Sequence, residues 1–131
     1  MPVRGIRGAT TSSANSSEAI VEATGELLAE LVRLNGVSRD EIAMAWFTTT
    51  TDLDSEYPAL AARRMGWTTV PLMCTNDMVV SGPNSRSIPS CIRILLLYNT
   101  GKAQSEMRSA YLRGAQAIRA DLDKTAQEFA P

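Results

Sequence analysis

A chain of 131 residues is the length of one domain, and 44% hydrophobic with 21% charged residues suits a soluble globular protein rather than a disordered one. Thirteen Lys and Arg against fourteen Asp and Glu leave a net charge of −1, so no global basic surface recommends nucleic acid. Histidine is absent, which excludes Ser-His-Asp and Cys-His nucleophiles, imidazole general bases and His-containing metal sites.

The elements are read in chain order. Val3 to Thr10 reads as a Gly-punctuated first strand, ending in Thr11-Ser12-Ser13. Asn15 followed by Glu18 resembles a capping box, and Ile20, Thr24, Leu27, Leu28, Leu31 and Leu34 then recur at helical spacing until Gly36 stops the helix. Ser38 to Glu41 predicts a short helical turn, and residues 43–51 read as a strand from their aromatic and β-branched content. Tyr57-Pro58 introduces a helix over Ala59 to Met65, closed by Gly66. Trp67 to Cys74 predicts another strand, residues 81–87 a loop, and Ser90 to Tyr98 a further strand. Ser105 to Leu112 predicts a final helix that Gly114 stops or bends. The order β-α-β-α-β-β-α defines an α/β (α+β) domain with a mixed sheet packed against helices, whose uncovered edges a symmetric oligomer would cover.

Cys74 and Cys91 are too few for a Cys-rich zinc site or a disulfide scaffold. The longest apolar run, Ile94 to Tyr98, is too short to span a membrane, and Met1-Pro2-Val3-Arg4-Gly5 lacks the apolar core of a signal peptide. The expectation is a cytoplasmic protein with reduced thiols and neither membrane nor nucleic-acid partner.

With the usual catalysts missing, the arginines carry the interest. Arg93 interrupts an apolar strand and shares a face with Cys91 and Leu95 by strand parity. Such a guanidinium faces a polar cavity, is held in a structural ion pair, or lies on a surface-facing side of its strand. Arg4 and Arg7, three apart, point to opposite faces of the first strand, so at most one enters a given cavity. Arg63 and Arg64 sit on a helix, and Arg119 in the tail; singly, each reads as a solvated side chain. Converging on one polyanion, they would supply planar bidentate donors. Cys74-Thr75-Asn76-Asp77 groups a thiol, a hydroxyl, an amide and a carboxylate at a strand end, where a turn alone would also favour such residues. No histidine activates Cys74, and Met73 reads with the other methionines as core filler.

Several segments taken together resemble one family. Arg4-Gly5-Ile6-Arg7-Gly8-Ala9-Thr10-Thr11 resembles the opening of the AroH-type monofunctional chorismate mutases of the Bacillus kind. Asp52-Leu53-Asp54-Ser55-Glu56-Tyr57-Pro58-Ala59 with Arg63 beyond it, Val70-Pro71-Leu72-Met73-Cys74, Cys91-Ile92-Arg93 and Tyr111-Leu112 follow in the family's order. The resemblance runs from Arg4 to about Leu122 and implies one mutase domain over residues 1–131. It also implies a homotrimeric pseudo-α/β barrel with active sites between subunits, and the Claisen rearrangement of chorismate to prephenate in aromatic amino-acid biosynthesis (the shikimate pathway). No metal or organic cofactor is implied.

By the same resemblance, Arg93 donates to the ether oxygen, and Arg7, with Tyr111 assisting, binds the enolpyruvyl carboxylate. Tyr57 and Arg63 arrive from the neighbouring subunit, beside Ala59. Met73 and Cys74 line the site, and Ile118 and Arg119 belong to a C-terminal cover spanning residues 115–131. Asp77 stands where the family's C-x-x-E glutamate contacts the ring hydroxyl, shorter in reach by about 1.5 Å. The loop from Met78 to Ser90, carrying Arg86, is longer than usual, and Leu60 replaces a lysine. These departures motivate two alternatives: an enzyme for a related dicarboxylate such as isochorismate, and a non-catalytic anion-binding trimer.

Overall fold

In the computed structural model, which describes residues 1–119 and Gln127, Ile20, Ala23, Leu27, Leu28 and Leu31 line one fully buried side of helix α1 (Ser17–Asn35). That stripe is the i, i+3, i+4 pattern of the sequence. Gly36 ends the helix at φ 59°, a left-handed conformation that favours glycine, and its N–H donates to Val32 O. The N-cap is Ser16, whose hydroxyl accepts from Ala19 N at 3.2 Å, in place of the expected Asn15. Asn15 is used elsewhere: its amide donates to Asp54 Oδ1 at 2.7 Å, and its Oδ1 accepts from the N–H groups of Asp54 and Ser55. The start of α1 is thereby tied to the loop that carries Tyr57.

The remaining elements are β1 (Val3–Thr11), β2 (Ile42–Thr49), α2 (Ala59–Arg64), β3 (Leu72–Asn76), β4 (Cys91–Asn99) and β5 (Ala110–Tyr111), with a short 3-10 turn at Arg39–Glu41. They form one mixed sheet in the order β3-β2-β4-β1-β5. Strand β4 lies antiparallel to both β1 and β2, whereas β3 runs parallel to β2 and β5 parallel to β1. The expected mixed sheet packed with helices is what the chain adopts. Among the described residues no helix is long and apolar enough to cross a membrane.

Two expected elements are corrected. Ser105–Leu112 is not a helix: a 3-10 turn at Gln104–Glu106 leads into an extended segment, and Ala110 and Tyr111 pair with Gly8 and Ala9. The element order therefore ends in a strand. Trp67–Cys74 is a strand only from Leu72, because Trp67 and Val70 are instead spent filling the core beside α2.

Strand parity divides the sheet sharply. Gly8, Ile94, Phe47 and Cys74 lie opposite one another, as do Ile6, Leu96, Ala45 and Leu72, and this face packs under α1 and α2. Gly8 is needed for that contact, since a Cβ there would come 3.0 Å from Leu27 Cδ1 and from Ala110 O. On the other face two rows cross the sheet. One is Tyr111, Ala9, Arg93, Thr48 and Thr75; the next is Arg7, Leu95, Trp46 and Met73. Neither α1 nor α2 covers them, and among the described residues Trp46, Met73 and Leu95 stay 40%, 50% and 38% exposed.

Candidate active site

Arg7 on β1, Arg93 on β4 and Tyr111 on β5 come from three distant stretches of sequence, and the open face brings them to one cleft of about 510 Å³. Trp46, Asp77 and Ile118 complete its wall. Each side chain is placed by the backbone ladder. Arg93 is centred in the sheet, opposite Ala9 on one side and Thr48 on the other. Tyr111 is held by the parallel pairing to Ala9 and by Leu112 N donating to Ala9 O at 2.9 Å. The chain then turns through Arg113 at φ 52°, whose guanidinium pairs with Glu26 at 3.2 Å and anchors this segment to α1.

The two arginines differ electrostatically. Arg93 Nε lies 3.3 Å from Asp77 Oδ2, an ion pair at the edge of the cleft. Among the described residues the guanidinium of Arg7 has no hydrogen-bond or ion-pair partner, and it is exposed in the cleft. A cation left unpaired at the mouth of a partly apolar cavity is arranged for an external anion. Arg119 lies with Cζ 6.0 Å from the centroid of the Tyr111 ring and donates to Ser109 Oγ at 3.3 Å, so it borders the same cleft. Of the expected 115–131 cover, residues from 120 onward apart from Gln127 lie outside the described residues.

The other expected site residues sit elsewhere on the chain. Tyr57 and Cys74 line a separate groove of about 340 Å³ along the β3 edge, with Glu56, Pro58 and Thr75. Glu56 holds this stretch to α1 by accepting from Ser17 Oγ at 2.6 Å, which together with the peptide N–H of Tyr57 keeps its carboxyl below the usual range. Ala59 is buried at the start of α2, with its N–H directed to the Cys74 thiol. Arg63 lines a third, shallow hollow with Trp67 and Val70. Met73 stands on the open face beside Trp46. Within one chain, then, Tyr57, Arg63 and Cys74 line cavities different from the one that holds Arg7 and Arg93.

Burial pushes the Cys74 thiol above its ordinary range, with Arg63 pulling weakly the other way, and burial does the same to Cys91. Both thiols are therefore protonated at neutral pH and poor nucleophiles. Asp52 accepts from Thr50 Oγ1 at 2.5 Å and from Ser90 N at 2.9 Å, clamping the start of β4. These bonds lower its carboxyl pKa, the Thr50 hydroxyl most. Because the folded value is depressed, this contribution to stability is present at neutral pH and is lost as pH falls through the lowered value. Among the described residues no group of three or more Cys, Asp or Glu could hold a metal ion.

Two residues of the cleft were not picked out in the sequence. Trp46 donates from Nε1 to Thr75 Oγ1 at 2.9 Å, and Thr48 donates its hydroxyl to Asp77 Oδ1. Strand parity from Arg93 across β2 was the signal available for both.

The cleft sets two arginines and a phenol against partly apolar walls, a lining whose charge suits a small anion. The family model for chorismate mutase type I matches residues 3–122. The chain is 45% identical over 122 residues to the chorismate mutase AroH of Thermus thermophilus, covering 92% of this chain and 97% of that one. It is 33% identical over 126 residues to the chorismate mutase AroH of Bacillus subtilis, covering 95% and 96%. Among solved structures, a chorismate mutase from Clostridium thermocellum superposes with a TM-score of 0.80 at 45% identity, covering 86% of this chain and 96% of that one. The chain belongs to the type I chorismate mutase family.

Proposed function

We infer that this protein rearranges chorismate to prephenate, an isomerase acting in aromatic amino-acid biosynthesis. The observation that carries the reading is the convergence of Arg7, Arg93 and Tyr111 in one cleft of a chain whose relatives bear that activity. The rearrangement is unimolecular and pericyclic. It needs neither acid, base nor nucleophile, so a histidine-free chain with protonated thiols lacks nothing it requires.

Two tasks remain for the protein: to hold the dicarboxylate in its compact diaxial conformer, and to stabilise the charge that separates as the ether C–O bond breaks. Arg7, exposed in the cleft, takes the enolpyruvyl carboxylate, and the Tyr111 hydroxyl adds a second donor. Arg93 donates to the ether oxygen, where negative charge develops; a preorganised donor of this kind contributes roughly 3–4 kcal/mol to the transition state. Ile118 and Arg119 begin the cover over the cleft, and in this reading residues 1–131 form one mutase domain.

The site is completed by a second copy. The exposed apolar side chains of the open face, Trp46, Met73 and Leu95, are suited to burial in a homotrimer. Assembly then brings Tyr57 and Arg63 of a neighbour, beside Ala59, to the cleft of Arg7 and Arg93, with Met73 and Cys74 lining the site. The reading requires no cofactor, and the protein works in the cytoplasm.

The test is incubation of the purified protein with chorismate and, separately, with isochorismate, with products identified by NMR. Enzyme-dependent prephenate from chorismate is expected. Chorismate left unchanged, whether or not isochorismate reacts, would overturn the reading.

A further inference from the structure

We propose that Thr48 is a positioning residue, acting through Asp77 on the guanidinium of Arg93; its catalytic consequence rests on Arg93 being the donor to the ether oxygen. Thr48 lies within a run of four threonines that composition marks only as strand. Register gives it a place: it stands opposite Arg93 across β2 and β4, and opposite Thr75 across β2 and β3.

Asp77 follows the last residue of β3. Its N–H donates to Thr49 O at 2.9 Å, which carries the parallel ladder one step further and fixes where its side chain leaves the backbone. Asn76 secures the same strand end, its amide donating to Thr49 Oγ1 at 3.2 Å. From that point the short carboxylate is gripped at both oxygens. Thr48 donates to Oδ1, and Oδ2 meets Arg93 Nε at 3.3 Å. The Asp77 side chain is 18% exposed, so both contacts are made largely out of water.

The terminal torsion of an aspartate is broad. A carboxylate held at one oxygen only can swing and take its partner with it; one held at both cannot. With Oδ1 held by Thr48, Oδ2 presents a fixed point of negative charge 3.3 Å from Arg93 Nε, which narrows the positions open to the guanidinium. Arg93 is thereby aimed before substrate arrives, which is the condition for stabilising developing charge without reorganisation. The shorter acid and the hydroxyl belong together: drawn back by about one C–C bond relative to a glutamate, the carboxylate falls within reach of β2.

The test compares Thr48→Val, which removes the hydroxyl while keeping a strand-favouring shape, with Thr48→Ser, which keeps the hydroxyl. Two readouts are taken on the same full-length proteins: solvent exchange of the Arg93 Nε–H by nitrogen-15 NMR, and kcat and KM on chorismate. Wild type and Thr48→Ser should show the same exchange rate and kcat values within about 2-fold. Thr48→Val should exchange faster and lose about 10-fold in kcat with KM nearly unchanged. Adding Thr48→Val to Asp77→Asn should cost little beyond Asp77→Asn alone, since the two act as one unit. Unchanged Nε–H exchange in Thr48→Val, equal damage from serine and valine, or losses that multiply in the double variant would each overturn the proposal. If wild type leaves chorismate unchanged, the functional reading falls, while the exchange measurement still decides whether Thr48 positions Arg93.

Discussion

Arg93→Ala should lower kcat for chorismate by about 10³-fold while the protein stays folded. Loss of one preorganised donor at a developing oxyanion typically costs 10²–10³-fold, and Arg93 adds a full charge in a partly apolar cleft, which places it at the upper end or beyond. The side chain stands on the open face of the central strand, opposite Ala9 and Thr48, so alanine leaves the ladder and the helix-covered core intact. Asp77 keeps its bond from Thr48 and stays partly hydrated, so its carboxylate is not stranded. Steady-state kinetics with a thermal melt checks both halves of this expectation. A kcat within tenfold of wild type would remove Arg93 from the chemistry. Arg93→Lys should recover only part of the loss, because a point charge on a flexible stem lacks the fork that Asp77 orients.

Phe47→Ala should cost about 3–5 kcal/mol of stability, the range for truncating a buried aromatic side chain. Phe47 is fully buried on the helix-facing side of β2, one position from both Trp46 and Thr48 on the open face. Strand β2 lies between β3 and β4, so a cavity beneath it loosens the element that aligns Asp77 with Arg93. Urea unfolding of both proteins should be measured at one fixed protein concentration, so that the proposed association weighs equally on each. A loss below about 1 kcal/mol would show that the core under the site collapses to refill the space.

Local signals made much of the fold legible. The spacing from Ile20 to Leu34 and the glycine at position 36 placed α1 before its partners were known, and Pro58 with Gly66 bracketed α2. The 105–112 segment was misread because Met107, Tyr111 and Leu112 offer too few apolar positions to separate two periods. Its outcome is decided by pairing with β1, about a hundred residues away in sequence. The Trp67–Cys74 segment failed for a related reason: apolar content does not tell core-filling loop residues from strand residues, and the ladder begins only after Pro71. Asn15 and Ser16 are both good caps, and the choice between them was settled by contacts to Asp54 and Ser55.

The site was legible unevenly. Arg93 stood out as a charge within an apolar strand, and its sharing a face with Leu95 matches the observed register. Arg7 and Tyr111 are ordinary residues taken singly, and only the family motif set them apart before the sheet placed them in one cleft. Thr48 was invisible because its role depends on which residue lies across from it, a property of register rather than composition.

In the proposed reading a working site takes Arg7 and Arg93 from one copy and Arg63 from another, which line separate cavities within one chain. Co-expression of Arg93→Ala with Arg63→Ala tests it most directly. Each variant alone should be nearly inactive on chorismate. Mixed assemblies should regain activity approaching about a quarter of wild type, because a site works when both contributing copies happen to bring their intact half. Mixed assemblies no more active than either variant alone would contradict the account, placing both arginines of a working site on the same chain.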